Sequence, residues 1–162
     1  MIAARIGTSG EIRCGDDRLA RETAHICGAN YYPGVTSSMC YSVSNELVAG
    51  VLYESVRPGA SCFVHVATQK AQFVPRDMWW AAFYLPFIGW GCKKIIGPIS
   101  ETNAASLSLA RRLGFVEEVR LAGVYPEACV FMTLHRENCW CLSRITPRRF
   151  EVPNGRLGSS TP

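Results

Sequence analysis

Residues 102–115 read Thr-Asn-Ala-Ala-Ser-Leu-Ser-Leu-Ala-Arg-Arg-Leu-Gly-Phe, and no other stretch constrains the chain as tightly. It is a helix with both ends written in. Thr102 or Asn103 caps the first turn by accepting a hydrogen bond from an exposed backbone N–H. Leu107, Ala110 and Leu113, with Leu109 beside them, recur at three- and four-residue spacing and make one apolar face. Arg111 and Arg112 stand in the last turn, where the helix dipole favours cations. Gly114 follows as a left-handed C-cap, and Phe115 returns the chain to the core. The preceding run, Cys92-Lys-Lys-Ile-Ile-Gly-Pro-Ile-Ser100, is β-branched and reads as a strand.

The rest of the chain fits around that pair. Residues 1–15 are ambiguous, with a short strand at Ala3–Ile6 and a turn at Thr8–Gly10. Asp16 to Cys27 reads as a helix, capped by Asp16 or Asp17, facing inward through Leu19, Ala20, Thr23 and Ala24 and stopped by Gly28. Asn30-Tyr-Tyr-Pro-Gly34 punctuates a loop. Met39–Val43 and Leu47–Tyr53 form a hairpin across Ser44-Asn45-Glu46. Cys62-Phe-Val-His-Val-Ala67 reads as a central strand. Pro75 suits the start of a helix that runs to Tyr84 and carries Trp79, Trp80, Phe83 and Tyr84; Pro86 breaks or kinks it. Val116–Leu121 and Cys129–Leu134 pair after the helix described first, and residues 137–142 make a short helix. A single domain over residues 1–143 and a flexible tail over 144–162, rich in proline and glycine, complete the expectation.

This order, with Asn103, Ser106 and Leu113-Gly-Phe115, resembles the Gcn5-related N-acetyltransferases (GNAT superfamily) over roughly residues 47–142. The resemblance implies an α/β (α+β) fold: a mixed, mostly antiparallel sheet with a splayed central parallel pair flanked by helices. It implies a wedge between strands ending at His65-Val66-Ala67 and Ile99-Ser100, which admits the thioester arm of acetyl-CoA as co-substrate. The backbone at Val66 and Ala67 then binds the pantetheine arm. Asn103 holds that arm as well, and Ser106 is the candidate acid for the leaving thiolate. Three-residue spacing sets Asn103 and Ser106 on one helix face. Many relatives carry a tyrosine acid four residues before the Leu-Gly-Phe glycine; Ala110 stands there, so that mechanism is excluded. The loop that normally wraps the pyrophosphate with glycines is Gln69-Lys-Ala-Gln-Phe-Val-Pro-Arg76 here and has none. Lys70 and Arg76 are left to supply positive charge.

On the acceptor side, His65 titrates near neutral pH and is a candidate base; a hydrogen-bonded structural histidine is the plainer alternative. Glu54, at a strand end, is a second candidate catalytic group. Tyr31, Tyr32 and Tyr53 are candidates for binding the acceptor. The aromatic segment 75–90 is read as core and as a contact for a homo-oligomer.

Eight cysteines are scattered without a Cys-x-x-Cys pair and read as buried thiols of a reducing compartment, hence the cytoplasm. His135, Cys139 and Cys141 fit no standard zinc spacing, so no metal is expected. The net charge of +4 is too small to argue for nucleic acid, and no apolar run reaches the roughly 20 residues a membrane span needs.

Three functions remain open. One is an N-acetyltransferase acting on a protein or small-molecule amine. The phrasing His-Val-Ala, Pro-Phe-x-x-x-Gly and Leu-Gly-Phe also resembles phage-encoded members, which implies a DNA-base-modifying enzyme on the same fold, working in host cytoplasm. The third is a non-catalytic virion or interaction protein that has lost the co-substrate.

Overall fold

The computed structural model describes residues 2–6, 10–69 and 74–146, with side chains from residue 10 onward. Lys70 and the tail beyond residue 146 lie outside the described residues. The elements run β1 (Ile2–Ile6), β2 (Gly10–Cys14), α1 (Asp17–Cys27), β3 (Ser37–Val43), β4 (Glu46–Arg57), β5 (Ser61–Thr68), α2 (Arg76–Tyr84), β6 (Lys94–Ser100), α3 (Ala104–Leu113), β7 (Val116–Leu121), β8 (Cys129–His135) and α4 (Trp140–Arg144). The strands form one sheet in the order β1-β2-β3-β4-β5-β6-β8-β7. Every pairing is antiparallel except β5 with β6. This is the mixed sheet with a central parallel pair that the sequence implies.

Alternation along the strands separates the two faces of the sheet. Val51, Tyr53, Cys62, Val64, Ile95, Val130, Met132 and Leu134 point to one side. There they meet Met78, Ala81 and Phe83 of α2, Leu107, Ala110 and Leu113 of α3, and Cys141 of α4. On the other side α1 crosses β3, β4 and β5. Leu19 packs with Cys40 and Leu47, and Ala20 and Ala24 pack with Leu52. Gly50 lets α1 sit this close: a Cβ there would lie 1.9 Å from Thr23 Oγ1.

Both main helix termini follow their sequence signals. The Asp16 carboxylate accepts from Leu19 N–H at 3.1 Å, and Gly28 closes α1 at φ 67°. Asn103, rather than Thr102, caps α3, accepting from Ser106 N–H at 3.0 Å, and Gly114 closes it at φ 99°. Pro86 does not break its helix. It begins a wider π-helical turn over Leu85–Gly89, in which Trp90 N–H donates to the Leu85 carbonyl at 2.9 Å.

One expectation needs correction. From Gly10 the chain is a strand: β2 inserts between β1 and β3 with only Ile12 buried, too little apolar signal to stand out; Thr8 and Ser9 of the expected turn lie outside the described residues. The aromatic segment 75–90 is largely core, with Ile88 40% exposed. Phe83, Phe87 and Trp90 are buried, while Trp79, Trp80 and Tyr84 are half-buried, with Trp80 stacked on Tyr84 at 4.5 Å. Among the described residues no helix is long and apolar enough to cross a membrane.

Candidate functional site

β5 and β6 pair only where Ser61, Cys62 and Phe63 meet Lys94, Ile95 and Ile96. Both strands continue beyond that point, β5 to Thr68 and β6 to Ser100, without pairing each other. Their outer edges stay bonded throughout: β5 to β4 as far as Thr68↔Ala49, and β6 to β8 as far as Ser100↔Cys129. The inner edges, Val64–Thr68 and Gly97–Ser100, therefore diverge with backbone donors and acceptors outside any ladder. Pro98 fits this arrangement. A proline inside a sheet forfeits a ladder bond, and Pro98 lies past the last residue of β6 paired to β5.

Val66 and Ala67 line the inner edge of β5, Val66 half-buried and Ala67 buried. α3 begins where the inner edge of β6 ends. Asn103 N–H donates to the Ser100 carbonyl at 3.0 Å. The Asn103 side chain is exposed and its oxygen is occupied by the cap, which leaves its amide N–H groups for a ligand. Ser106 lies half-buried one turn further on.

A carboxylate network fixes this junction. Ser100 Oγ donates to Glu127, as does Thr102 Oγ1 at 3.0 Å, and these two hydroxyls hold the Glu127 carboxyl below its ordinary pKa. Glu101 accepts from Ala128 N–H at 3.1 Å and from Arg120 at 2.7 Å.

Glu54 and His65 form a pair. Leu52 lies opposite His65 and Glu54 opposite Phe63, which places Glu54 and His65 on the α1 face of neighbouring strands. Nε2 of His65 is 3.3 Å from Oε2 of Glu54, with both side chains partly exposed. A β-bulge follows in β4 between Glu54 and Arg57, with Ser55 in the left-handed region at φ 47°. Bulges of this kind re-aim side chains and recur beside functional sites.

One group approaches the pair from another element, and a second lies near that group. Cys27, at the end of α1, has its thiol pKa raised by burial and further by the charge of Glu54. Tyr125, in the loop between β7 and β8, is raised by burial and by Cys129 and Cys27. The sequence reading passed over Tyr125; its position beside a proline in a loop gave no periodic signal.

The tyrosine candidates separate. Tyr53 is a correction: it is fully buried on the opposite face from Glu54, its hydroxyl donating to the Ala82 carbonyl at 2.8 Å and its ring edge-on to Trp90 at 5.2 Å. It cannot touch an acceptor. Tyr31 donates to the Asp17 carboxylate beneath the Arg21 guanidinium. Burial, then Asp17, pushes its phenol up to about 12, which makes it a brace for α1. Tyr32 is open to solvent in the adjoining loop.

Arg76 is exposed in the first turn of α2, whose N-cap, Pro75, makes no side-chain capping bond. Lys70, its expected companion, lies outside the described residues. Among the described residues no group of three potential ligands could hold a metal ion; His135 faces Glu137 at 4.0 Å, and the Cys139 and Cys141 thiols are buried, free and hydrogen-bonded to each other.

No family model and no curated protein sequence matches the chain. Solved structures do match in fold. Mutant forms of the spermidine/spermine N-acetyltransferase SpeG from Vibrio cholerae superpose with a TM-score of 0.66 at 13% identity, covering 80% of this chain and 95% of that one. The same enzyme in a dodecameric intermediate state gives 0.64 at 14% identity, covering 80% and 95%. Its complex with CoA and spermine gives 0.57 at 15% identity, covering 65% and 68%. The chain has the GNAT fold.

Proposed function

We propose that the protein transfers an acetyl group from acetyl-CoA to an amine. The observation that carries this reading is the parting of β5 and β6 beyond Phe63 and Ile96: two peptide edges without ladder partners, at the mouth of which a capped helix begins. A pantetheine arm is an extended chain with amides, and a free strand edge supplies the complementary hydrogen bonds. The solved structure with CoA and spermine shares the fold.

The residues then divide the work. Val66 and Ala67 bind the arm through their backbone, Asn103 donates to it from the other side, and Arg76 meets the pyrophosphate from the start of α2, with Lys70 a further source of positive charge by its place in the sequence. A neutral amine attacks the thioester carbonyl carbon; the N–C bond forms as the C–S bond breaks. The amine proton passes to His65 Nδ1, directly or through a water, while Nε2–H donates to Glu54, which stabilises the imidazolium that results. Ser106, or a water, protonates the leaving thiolate. Holding the two reactants together supplies most of the acceleration. Eight free cysteines are compatible with a reducing compartment such as the cytoplasm.

The glycine-free loop 69–76 favours a second reading, in which the fold persists without the co-substrate. Thermal unfolding with and without millimolar acetyl-CoA decides between them. Transfer requires a stabilisation that grows with ligand concentration, together with release of free CoA thiol when a primary amine is added. No stabilisation at any concentration leaves the second reading.

A further inference from the structure

β6 leaves the sheet at Glu101, and side chains govern how it leaves. The β6–β8 pairing ends with Ser100 opposite Cys129. One backbone bond continues past it, from Glu101 N–H to the Ala128 carbonyl at 2.9 Å. The return bond is made by a side chain: Ala128 N–H donates to the Glu101 carboxylate at 3.1 Å. The carboxylate stands in for the carbonyl that a longer strand would have supplied, so the backbone is free to turn. It turns at once. Asn103 N–H donates to the Ser100 carbonyl and Ala104 N–H to the Thr102 carbonyl, both at 3.0 Å, and α3 begins.

A second carboxylate holds the same turn from the opposite side. Glu127, at the end of the β7–β8 loop, receives the Ser100 hydroxyl and the Thr102 hydroxyl on one oxygen, Oε1, the latter at 3.0 Å. Thr102 N–H donates to Ser100 Oγ at 3.3 Å. The other oxygen of Glu101 accepts from Arg120 of β7 at 2.7 Å. The arrangement is reciprocal: Glu101 reaches from the turn to the loop, and Glu127 from the loop to the turn. Glu101 is exposed and Glu127 half-buried. Polar pairs so placed add little to stability. What a reciprocal clasp does set is direction, because it ties the turn from Ser100 to Asn103 to the start of β8.

We propose that Glu127 and Glu101 are positioning residues for the co-substrate, acting through Asn103: the clasp fixes the turn and so aims the Asn103 amide at an arm held along Val66 and Ala67. The inference rests on the acetyl-transfer reading for its ligand. The Asn103 oxygen is spent on the cap, so its N–H groups have one direction, set by the turn that carries them. Hydrogen bonds weaken steeply away from their preferred distance and angle, and a polar contact made across a gap depends on the rigidity of what supports it. Neither carboxylate touches the arm. Both act at one remove.

A double-mutant cycle on acetyl-CoA affinity, measured by calorimetry on the full chain, tests this. Glu127→Ala and Glu101→Ala should each raise the Kd about threefold to tenfold, the worth of one hydrogen bond. Acetyl-CoA is anionic, so loss of a carboxylate would by charge alone tighten binding; the expected change has the opposite sign. Glu127→Gln keeps an accepting oxygen for Ser100 and Thr102 and should recover most of the affinity, although its charge equals that of the Ala variant. In an Asn103→Ala background, Glu127→Ala should shift the Kd by less than about twofold. The kcat at saturating acetyl-CoA should hold, with the loss confined to KM. Equal binding by wild type and Glu127→Ala overturns the proposal. So does a Glu127→Ala effect that persists in full without Asn103, or a Gln variant as weak as the Ala variant. A wild-type chain that binds no acetyl-CoA is a different outcome: it overturns the acetyl-transfer reading, and this proposal with it.

Discussion

The two ends of the β5–β6 pair are made from the same strands and behave oppositely. At the closed end the strands are tied by more than their ladder. Gly59 N–H donates to the Trp90 carbonyl at 3.0 Å, and Lys93 and Lys94 both donate to the Ala60 carbonyl, at 2.8 and 3.2 Å. Cys62 and Ile95 are buried there with Phe87 and Trp90. At the open end each strand is bonded on its outer side alone, to β4 or to β8. Separation is thus stored in the sheet by its neighbours and needs no ligand to create it. The closed end supplies rigidity; the open end supplies unused hydrogen-bonding capacity. A site built this way is pre-organised, because ordering the edges is completed on folding.

The largest expected effect lies at the open end. Replacing His65 with Ala removes the group we propose takes the amine proton, and should lower kcat/KM about 10²- to 10⁴-fold, the usual range for a general base. Glu54→Gln should lower it less. Steady-state thiol release measures both, and unchanged rates would demote the pair to a structural contact.

Next comes the closed end. Phe87→Ala empties a fully buried site and should destabilise by about 3–5 kcal/mol, read as a lower urea midpoint at constant slope. A loss below about 1 kcal/mol would mean that the clamp is not what holds the strands together.

These two positions were unequally legible in the sequence. The helix signals around α3 were fully so, because capping and periodicity are local: Asn103, Leu107, Ala110, Leu113 and Gly114 all act as their spacing implies. His65 and Glu54 were each visible as candidates, but their contact was not. It depends on the β4–β5 register and on a bulge at Ser55, and a shift of one residue would have put them on opposite faces. Tyr53 was misread against a signal that was present. It adjoins Glu54 in a strand, and neighbours in a strand face opposite ways. The wedge itself followed from family resemblance alone, since no residue type encodes where two strands cease to pair. Pro98 was the nearest hint.

Smaller effects test the junction between the open end and α3. Asn103→Ala removes the cap and should cost about 1 kcal/mol of stability, together with a rise in KM for acetyl-CoA. A stability loss with KM unchanged would confine Asn103 to capping. The smallest effect concerns Glu127. Its folded-state pKa lies below the ordinary 4.5 because Ser100 and Thr102 donate to the charged form. Its stabilisation is therefore complete above pH 4.5 and is lost as the pH falls through the depressed value. Melting temperatures of Glu127→Gln and wild type should differ at neutral pH and converge in acid; a constant difference would show that the carboxylate charge plays no part.

The most direct test of the central claim is backbone amide chemical shift during acetyl-CoA titration. The amides of Val64–Thr68, Gly97, Ile99 and Ser100 should move together and saturably, while those of Ser61–Phe63 and Lys94–Ile96 stay fixed. Shifts confined to other surfaces, or none at saturating ligand, would contradict the account.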